Sequence, residues 1–383
     1  MRRLFSFLML FVSFVGALPA SSMETDQYNL PPVPLADIAP EVEAFVAENI
    51  QAALDALNAE ITKHDSCLRP PHSAAFGTRP PSTVTVEKTE RDMSCSSPDK
   101  EAARLDELRK PDAVAWAVYE RLGSGSIFVT PMGKWLNSHK FSREPYRYKA
   151  DFTESIYWVR PTNYATLSPT IRMYGVEFGT DKLDHFFQQG YTYYKTYRKQ
   201  LAKGADDAAA TKKAVAWGRH SENTFYGYLV SGVFSNADLA ANYAGLRFYL
   251  TEDIKIGDTI VPAMLKIVDG KWVSGERASL LAPFDGKDSG PPMLRPFITD
   301  HLNEAFNPSN YLPLLYAIVK KAVKKHACSE WQTAFPSLTA AEFTARTAAL
   351  ITWNSLDYGY KHTSRQVRLA DTCFADKGVL PSE

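Results

Sequence analysis

The feature that most constrains the fold is a run of apolar residues that recurs at intervals of three and four between residues 42 and 61. The run consists of Val42, Phe45, Val46, Ile50, Leu54, Leu57 and Ile61. In an α-helix these positions lie on one side, and an apolar side of that length is stable only when other parts of the chain cover it. The run therefore predicts a long helix that packs against a substantial core.

Helix-start signals recur along the rest of the chain, where a serine or threonine precedes a proline or an acidic residue. The predicted helices cover residues 98–122, 131–139, 181–203, 206–230, 236–249, 310–325 and 339–354. Strand-like alternation appears only at residues 171–178 and within a strand-rich insert at about 253–292. The predicted fold class is mainly α (α+β), a helical core with a small β-hairpin or sheet.

The amino terminus has the layout of a secretory signal peptide. Arg2 and Arg3 precede an apolar stretch at residues 4–15, and small residues follow at 16–22. We therefore assign residues 1–21 to a cleavable signal and predict a secreted or periplasmic protein. In such a compartment the four cysteines indicate disulfides. Of the three connectivities, the local loops favour Cys67–Cys95 and Cys328–Cys373.

The charge of the chain limits the classes of partner. Without Arg2 and Arg3 the acidic residues outnumber the basic ones by two, which gives no support for nucleic-acid binding. No later segment is apolar enough to span a bilayer, so we expect no stable membrane anchor.

Residues 22–100 are predicted to hold an extended leader, a helix and a disulfide loop. Residues 101–383 are predicted to form a helical catalytic domain.

Glu154 is the first candidate for chemistry, because it lies in the stretch "FTESIYW" among apolar and aromatic residues. Surroundings of this kind penalise the ionised carboxylate and keep a carboxylic acid protonated near neutral pH. A protonated acid is what glycoside hydrolysis requires. We therefore assign Glu154 as a candidate general acid, with Ser155 and Tyr157 as candidate substrate-binding neighbours.

A second group of candidates lies at residues 174–188, in "YGVEFGTDKLDHFFQ". Helical spacing places Asp181, His185 and Gln188 on one side, where they would form a polar wall facing a cleft. Asp181 is the candidate for the second catalytic carboxylate. Further candidate substrate-binding residues around these segments are Tyr174, Asp184, His185, Gln188, Glu222, Asn223 and Tyr226.

The same segments carry a resemblance to lysozymes. Glu154-Ser155 followed by an aromatic resembles the Glu-Ser-x-aromatic segment of goose-type lysozymes and lytic transglycosylases, and Asp181-Lys182-Leu183-Asp184-His185 resembles their later Asp-Lys-x-x-His segment. Residues 130–250 also look like the lysozyme family of predatory bacteria that cleaves deacetylated peptidoglycan. The resemblance implies a lysozyme-like helical core and a muramidase with Glu154 as its acid. It leaves open whether cleavage is hydrolytic or forms an anhydro product.

The hairpin departs from the goose-type pattern. In the goose-type enzymes this hairpin is rich in glycine, whereas here it contains Gly175-Val176-Glu177-Phe178. The second acidic role, which belongs to the hairpin in those enzymes, is therefore left unassigned.

Two other functions remain open. Asp181, His185, His220 and Glu222 would form the ligand set of a metal-dependent hydrolase, although no HExxH motif is present. Alternatively, the polar residues stabilise a non-catalytic envelope-binding protein. For the glycosidase we predict a peptidoglycan substrate and no cofactor.

Overall fold

The computed structural model of the chain describes residues 24–68, 95–126, 129–256, 259–275 and 292–375. The predicted signal peptide lies outside these residues, as do most of the predicted loop between Cys67 and Cys95 and part of the predicted insert. Helices dominate, so the mainly α (α+β) prediction is confirmed. No helix in the described part combines the length and the apolar composition that spanning a bilayer requires.

The helices follow the predicted order with changed ends. They are α1 (Ala39–Leu68), α2 (Pro98–Leu108), α3 (Pro111–Leu122), α4 (Pro131–Ser138), α5 (Pro161–Ala165), α6 (Asp181–Asp184), α7 (Gly190–Leu201), α8 (Asp207–Asn223), α9 (Asn236–Tyr249), α10 (Pro313–Ala322), α11 (Cys328–Ala334), α12 (Ala340–Ala349) and α13 (Leu369–Cys373). A π-helical turn, His185–Gln189, joins α6 to α7, and a second, Val323–Ala327, joins α10 to α11.

The strands are short and pair in twos. They are β1 (Glu24–Thr25), β2 (Leu167–Ser168), β3 (Thr170–Met173), β4 (Val176–Gly179), β5 (Val233–Phe234), β6 (Ile254–Ile256), β7 (Thr259–Val261), β8 (Leu265–Val268), β9 (Lys271–Ser274) and β10 (Asn310–Tyr311). The pairs β3–β4, β6–β7 and β8–β9 are antiparallel hairpins. The other two pairs, parallel β1–β2 and antiparallel β5–β10, join segments that are far apart in sequence.

Several helix ends differ from the predictions. Asn310 and Tyr311, predicted to begin a helix, form β10, and the helix predicted at 339–354 ends at Ala349. The helix predicted at 98–122 is interrupted before Pro111, which lacks an amide hydrogen and begins α3 at its first turn. Thr180 was predicted to cap α6, but it has helical dihedral angles and its side chain caps nothing. The helix predicted at 206–230 ends at Asn223.

The predicted disulfides Cys67–Cys95 and Cys328–Cys373 are both present.

Two apolar clusters form the interior. The larger one contains the predicted side of α1, the hairpin β3–β4, and the buried faces of α3, α7 and α9. The smaller one surrounds Trp331 and Phe343 and is formed mainly by α10 to α13. Ile156 and Tyr157 of the predicted catalytic segment belong to this second cluster.

The amino-terminal segment was predicted to be an extended leader, and this is wrong for residues 24–29. All six side chains are buried, and β1 pairs with β2 in the interior. The hydroxyl of Tyr28 donates to the carbonyl of Val367 (2.5 Å), and Trp331 Nε1 donates to the carbonyl of Tyr28 (2.7 Å). Residues 24–29 therefore link the hairpin to the carboxy-terminal helices.

Candidate functional site

A buried lysine lies at the centre of a group of three buried carboxyl side chains. Lys182 Nζ lies 2.7 Å from Asp181 Oδ2, 2.6 Å from Asp238 Oδ1 and 2.6 Å from Glu304 Oε1. Lys182 and Asp181 come from α6, Asp238 from the first turn of α9, and Glu304 from the segment before β10. We call these four residues the Lys182 cluster. All four side chains are at most 4% exposed, so solvent does not reach their charges.

Further acids surround this cluster. Burial would lower the pKa of Lys182, but the three carboxylates together hold it well above its ordinary value. Burial raises the pKa of Glu24 and of Glu222 well above the ordinary range, and neighbouring carboxylates raise both further. The protonated form of both carboxyls is therefore favoured, and it adds no buried negative charge beside Lys182.

The cluster corrects the prediction of a polar wall facing a cleft. Asp181, Asp184 and His185 are at most 2% exposed, and Gln188 is also buried. Thr25 donates to Asp181 Oδ1 (2.7 Å), and His185 Nε2 lies 3.3 Å from Asp238 Oδ2. Helical spacing cannot tell a side that faces solvent from one that faces other polar groups. Asp181 is an interior partner of Lys182 in this structure, and its side chain is 0% exposed.

The metal-site alternative is also corrected. In the described part, Asp181, Asp238 and Glu304 present oxygen atoms within 4.8 Å of one another, which is compact enough for a cation. The ammonium of Lys182 contacts all three of these residues and supplies the positive charge itself. Of the set predicted from sequence, His220 is exposed on α8, whereas Asp181, His185 and Glu222 are buried. These four residues therefore do not form one ligand set.

The surroundings predicted for Glu154 are not found. Its side chain is exposed in a turn, and its carbonyl accepts a hydrogen bond from Asn29 Nδ2 (3.4 Å). The apolar neighbours are not arranged around its carboxyl, because Ile156 and Tyr157 point into the protein while Trp158 is exposed. Ser155 and Tyr157 are fully buried, so neither side chain is available to a substrate.

The remaining candidate substrate-binding residues are distributed over different parts of the fold. Tyr174 donates to the carboxylate of Glu43, and Gln188 Nε2 donates to the carbonyls of Gly123 and Ser126. Asn223 is exposed on α8 and accepts from Lys361 Nζ (2.9 Å), whereas Tyr226 is half-buried against Phe225. Together with the burial of Glu222, these positions do not describe one binding surface.

Asp184 makes the stability of the protein depend on pH. Burial raises its pKa to about 7, against the lowering effect of the hydrogen bond from Thr130. Because the folded pKa is above the unfolded one, the folded state binds the extra proton. Stability from this group is therefore full below about pH 4 and is lost as pH rises through about 7.

We expect Asp184→Asn to increase the free energy of unfolding by about 2–4 kcal/mol near pH 8 and by only about 1–1.5 kcal/mol near pH 5, because the unfolded carboxyl ionises from about pH 4 and the folded one only near pH 7. The neutral amide retains an acceptor for Thr130 and never ionises. Urea unfolding of both proteins between about pH 5 and about pH 8, followed by tryptophan fluorescence, measures the difference. Parallel pH profiles for the two proteins would contradict this role of Asp184.

A solvent-accessible cleft of about 300 Å³ lies beside the hairpin β3–β4. Its walls come from the buried amino-terminal segment, the hairpin, the 300–306 segment, α11 and α12. The residues that line it are Gln27, Asn29, Leu30, Pro31, Thr170, Arg172, Gly175, Val176, Glu177, Asp300, Asn303, Phe306, Trp331, Phe335 and Arg346. Aromatic walls with a few converging polar groups, at this volume, are typical of small-ligand sites.

Glu177 lines this cleft, and the pKa of its carboxyl group is raised above the ordinary value. Burial raises its pKa, against the attraction of Arg172, which is its directly opposite partner in the hairpin. Gln27 Nε2 and Asn303 Nδ2 both donate to the carbonyl of Glu177, at 3.0 Å and 2.8 Å, and so fix the strand. Glu177 is half-buried, whereas the other carboxyls whose pKa is raised are buried: Glu24, Asp26, Glu43, Asp184, Glu222 and Glu304.

Asp300 places a second carboxyl group, paired with Arg346, at the same cleft. Arg346 binds it through two nitrogens, Nη2 at 2.7 Å and Nε at 3.1 Å from Oδ2. The guanidinium of Arg346 also lies 3.6 Å from the centre of the Phe306 ring, which fixes its orientation. The cleft, which we call the Glu177 cleft, therefore combines a half-buried carboxyl, an ion-paired carboxylate and aromatic rings.

The sequence contained one signal for this site. Glu177 stands in the hairpin where the goose-type pattern is broken, at the position whose acidic role was left unassigned. Nothing in the local pattern indicates Asp300, Arg346 or Trp331, because these residues reach the hairpin only through the packing of the carboxy-terminal helices. The chain matches no protein-family model, no curated protein and no solved structure.

Proposed function

We propose that the protein is a glycoside hydrolase of the lysozyme type, which cleaves the glycan strands of peptidoglycan with Glu177 as its general acid. The observation that carries the proposal is the half-buried carboxyl of Glu177, whose pKa is raised, at the wall of an aromatic-lined cleft. A raised pKa favours the protonated form of a carboxyl group, which is the form that can deliver a proton to a glycosidic oxygen.

Glycoside hydrolysis also needs a second, ionised carboxylate. We assign this role to Asp300, which borders the same cleft and is ion-paired with Arg346. Two acids with different surroundings at one site are the arrangement that allows one to act as an acid and the other as a base or nucleophile. The assignment replaces Asp181, whose carboxylate is sealed inside the Lys182 cluster.

The resemblance to lysozymes supports the class of substrate, while the charges of the cleft leave its acetylation state open. Two acidic residues, Glu177 and Asp300, and two basic ones, Arg172 and Arg346, border it. The balance gives no preference for the positively charged amine of deacetylated peptidoglycan. Both acetylated and deacetylated cell walls are therefore substrates to compare.

Digestion of purified cell walls by the wild type, Glu177→Gln and Glu154→Gln tests the proposal. Glutamine has nearly the same shape as glutamate but cannot donate the proton, so we expect Glu177→Gln to lower turnover by about 10²–10⁴-fold. Glu154→Gln is the matched control, because the same change is made at an exposed carboxyl, and we expect turnover within about twofold of the wild type. Mass spectrometry of the products separates hydrolysis from anhydro-sugar formation.

The outcomes separate the assignments. Loss of turnover in Glu154→Gln alone would move the acid to the position that the lysozyme resemblance implies and would overturn the role of Glu177. Tight binding of cell walls by the wild type without turnover of either wall form would leave a non-catalytic binding protein. Full activity of both variants would remove the proposed mechanism.

A further inference from the structure

Five apolar side chains are exposed on three segments that contact one another near the start of α10. Leu314 is 77% exposed and Leu229 is 75% exposed, the highest fractions among the large apolar residues of the described chain. Trp158, Val230 and Leu312 are exposed beside them. We call these five residues the Leu314 patch. Exposed apolar side chains that gather in this way mark a binding surface more often than scattered ones do.

Backbone contacts hold the parts of the patch together. The amide of Leu312 donates to the carbonyl of Gly232 (3.0 Å), next to the pairing of β10 with β5. Arg160, two residues after Trp158, donates to the carbonyls of Ser231 (2.6 Å) and Val230 (3.2 Å). The three segments that carry the patch are therefore fixed relative to one another.

Lysines extend the patch along α10 and the π-helical turn that follows it. Lys321 is exposed two helical turns after Leu314 and lies on the same side of the helix. Lys324 and Lys325 are exposed in the next turn, and the first exposed acid after them is Glu330 in α11. Three exposed lysines thus follow Leu314 on the next two to three turns of the same helical segment.

We propose that the Leu314 patch binds the surface of a bilayer that contains anionic lipids. Leucine, valine and tryptophan side chains are the groups that enter the boundary between headgroups and acyl chains, and lysines beside them attract anionic headgroups. A protein partner fits less well, because lysine is depleted from the centres of protein interfaces. Binding is peripheral and reversible, since the patch offers side chains and a short helix.

Co-sedimentation with lipid vesicles tests this surface. The wild type is expected to bind vesicles that contain phosphatidylglycerol and to bind phosphatidylcholine vesicles far more weakly, and high salt should reduce the difference by screening. Lys321→Gln/Lys324→Gln/Lys325→Gln should lower the partition coefficient by roughly 100-fold, from a contribution of about fivefold per lysine. Leu229→Ser/Leu314→Ser should lower it at least about tenfold.

Matched control variants remove side chains of the same types from positions outside the Leu314 patch. Lys63→Gln/Lys100→Gln/Lys203→Gln removes three exposed lysines, and Ile260→Ser removes an exposed apolar side chain, all outside the patch. Both controls are expected to bind vesicles within about twofold of the wild type. The proposal is overturned if the wild type ignores anionic vesicles or if the patch variants bind as well as the controls. It is also overturned if light scattering shows a dimer that only the leucine variant abolishes, because the patch would then join two copies of the chain.

Discussion

Replacement of Lys182 by methionine is expected to lower the free energy of unfolding by about 3–5 kcal/mol or to prevent folding at neutral pH. Methionine fills the space of the lysine stem, so the change removes mainly the charge. Asp181, Asp238 and Glu304 would then remain buried without a cation within 2.6–2.7 Å. Urea unfolding followed by tryptophan fluorescence near pH 7 measures the loss.

A matched change at the surface and a partial rescue sharpen this test. Lys213→Met removes an exposed lysine of α8, and we expect an effect within about 0.5 kcal/mol. Adding Asp238→Asn and Glu304→Gln to Lys182→Met should restore part of the lost stability, because fewer buried charges then lack a partner. If Lys182→Met unfolds within about 1 kcal/mol of the wild type, the cluster does not stabilise the fold in the way its distances indicate.

The second large effect is expected at the crossing of α9 with the π-helical turn and α7. A Cβ at Gly245 would lie 2.0 Å from the carbonyl oxygen of Phe186 and 2.8 Å from Gly190 Cα. Both neighbours are backbone atoms, so the helices themselves must move apart to accept a methyl group. We expect Gly245→Ala to lower the free energy of unfolding by about 3 kcal/mol or more. Thermal and urea unfolding of the purified variant measure the loss.

Gly204→Ala provides the comparison for Gly245→Ala. Gly204 has a positive φ of 84°, and a Cβ there would meet nothing within 4 Å. Gly204→Ala therefore introduces backbone strain without a steric clash. We expect it to lower the free energy of unfolding by about 1 kcal/mol. If both variants lost the same free energy of unfolding, the close backbone contact at Gly245 would not be what makes Gly245→Ala destabilising.

The helical part of the fold was predictable because its signals are local. The stripe from Val42 to Ile61 predicted α1, and Thr339 with Glu342 forms the predicted capping box of α12. The burial of residues 24–29 was not predictable, since Glu24, Thr25, Asp26, Gln27 and Asn29 are polar. Their partners are polar groups from distant segments, for which the local pattern contains no signal.

The candidate site shows the same limit. The motif at residues 181–188 was predicted from its periodicity to face a cleft, whereas its side chains are buried and Lys182 pairs with Asp181 in the interior. Glu177 was visible as a departure from the lysozyme pattern. Its chemical setting depends on Asp300 and Arg346, which are more than 120 residues later in the chain. Only the packing of the carboxy-terminal helices brings them to the hairpin.

The burial of residues 24–29 has a consequence for the order in which the molecule is assembled. The hydroxyl of Tyr28 bonds to the carbonyl of a residue 339 positions later, and its own carbonyl bonds to one 303 positions later. During synthesis these partners emerge from the ribosome long after Tyr28 itself, by the same 339 and 303 positions. Residues 24–29 must therefore wait without these partners until the carboxy-terminal helices have been made, and closure of this part of the interior is a late step.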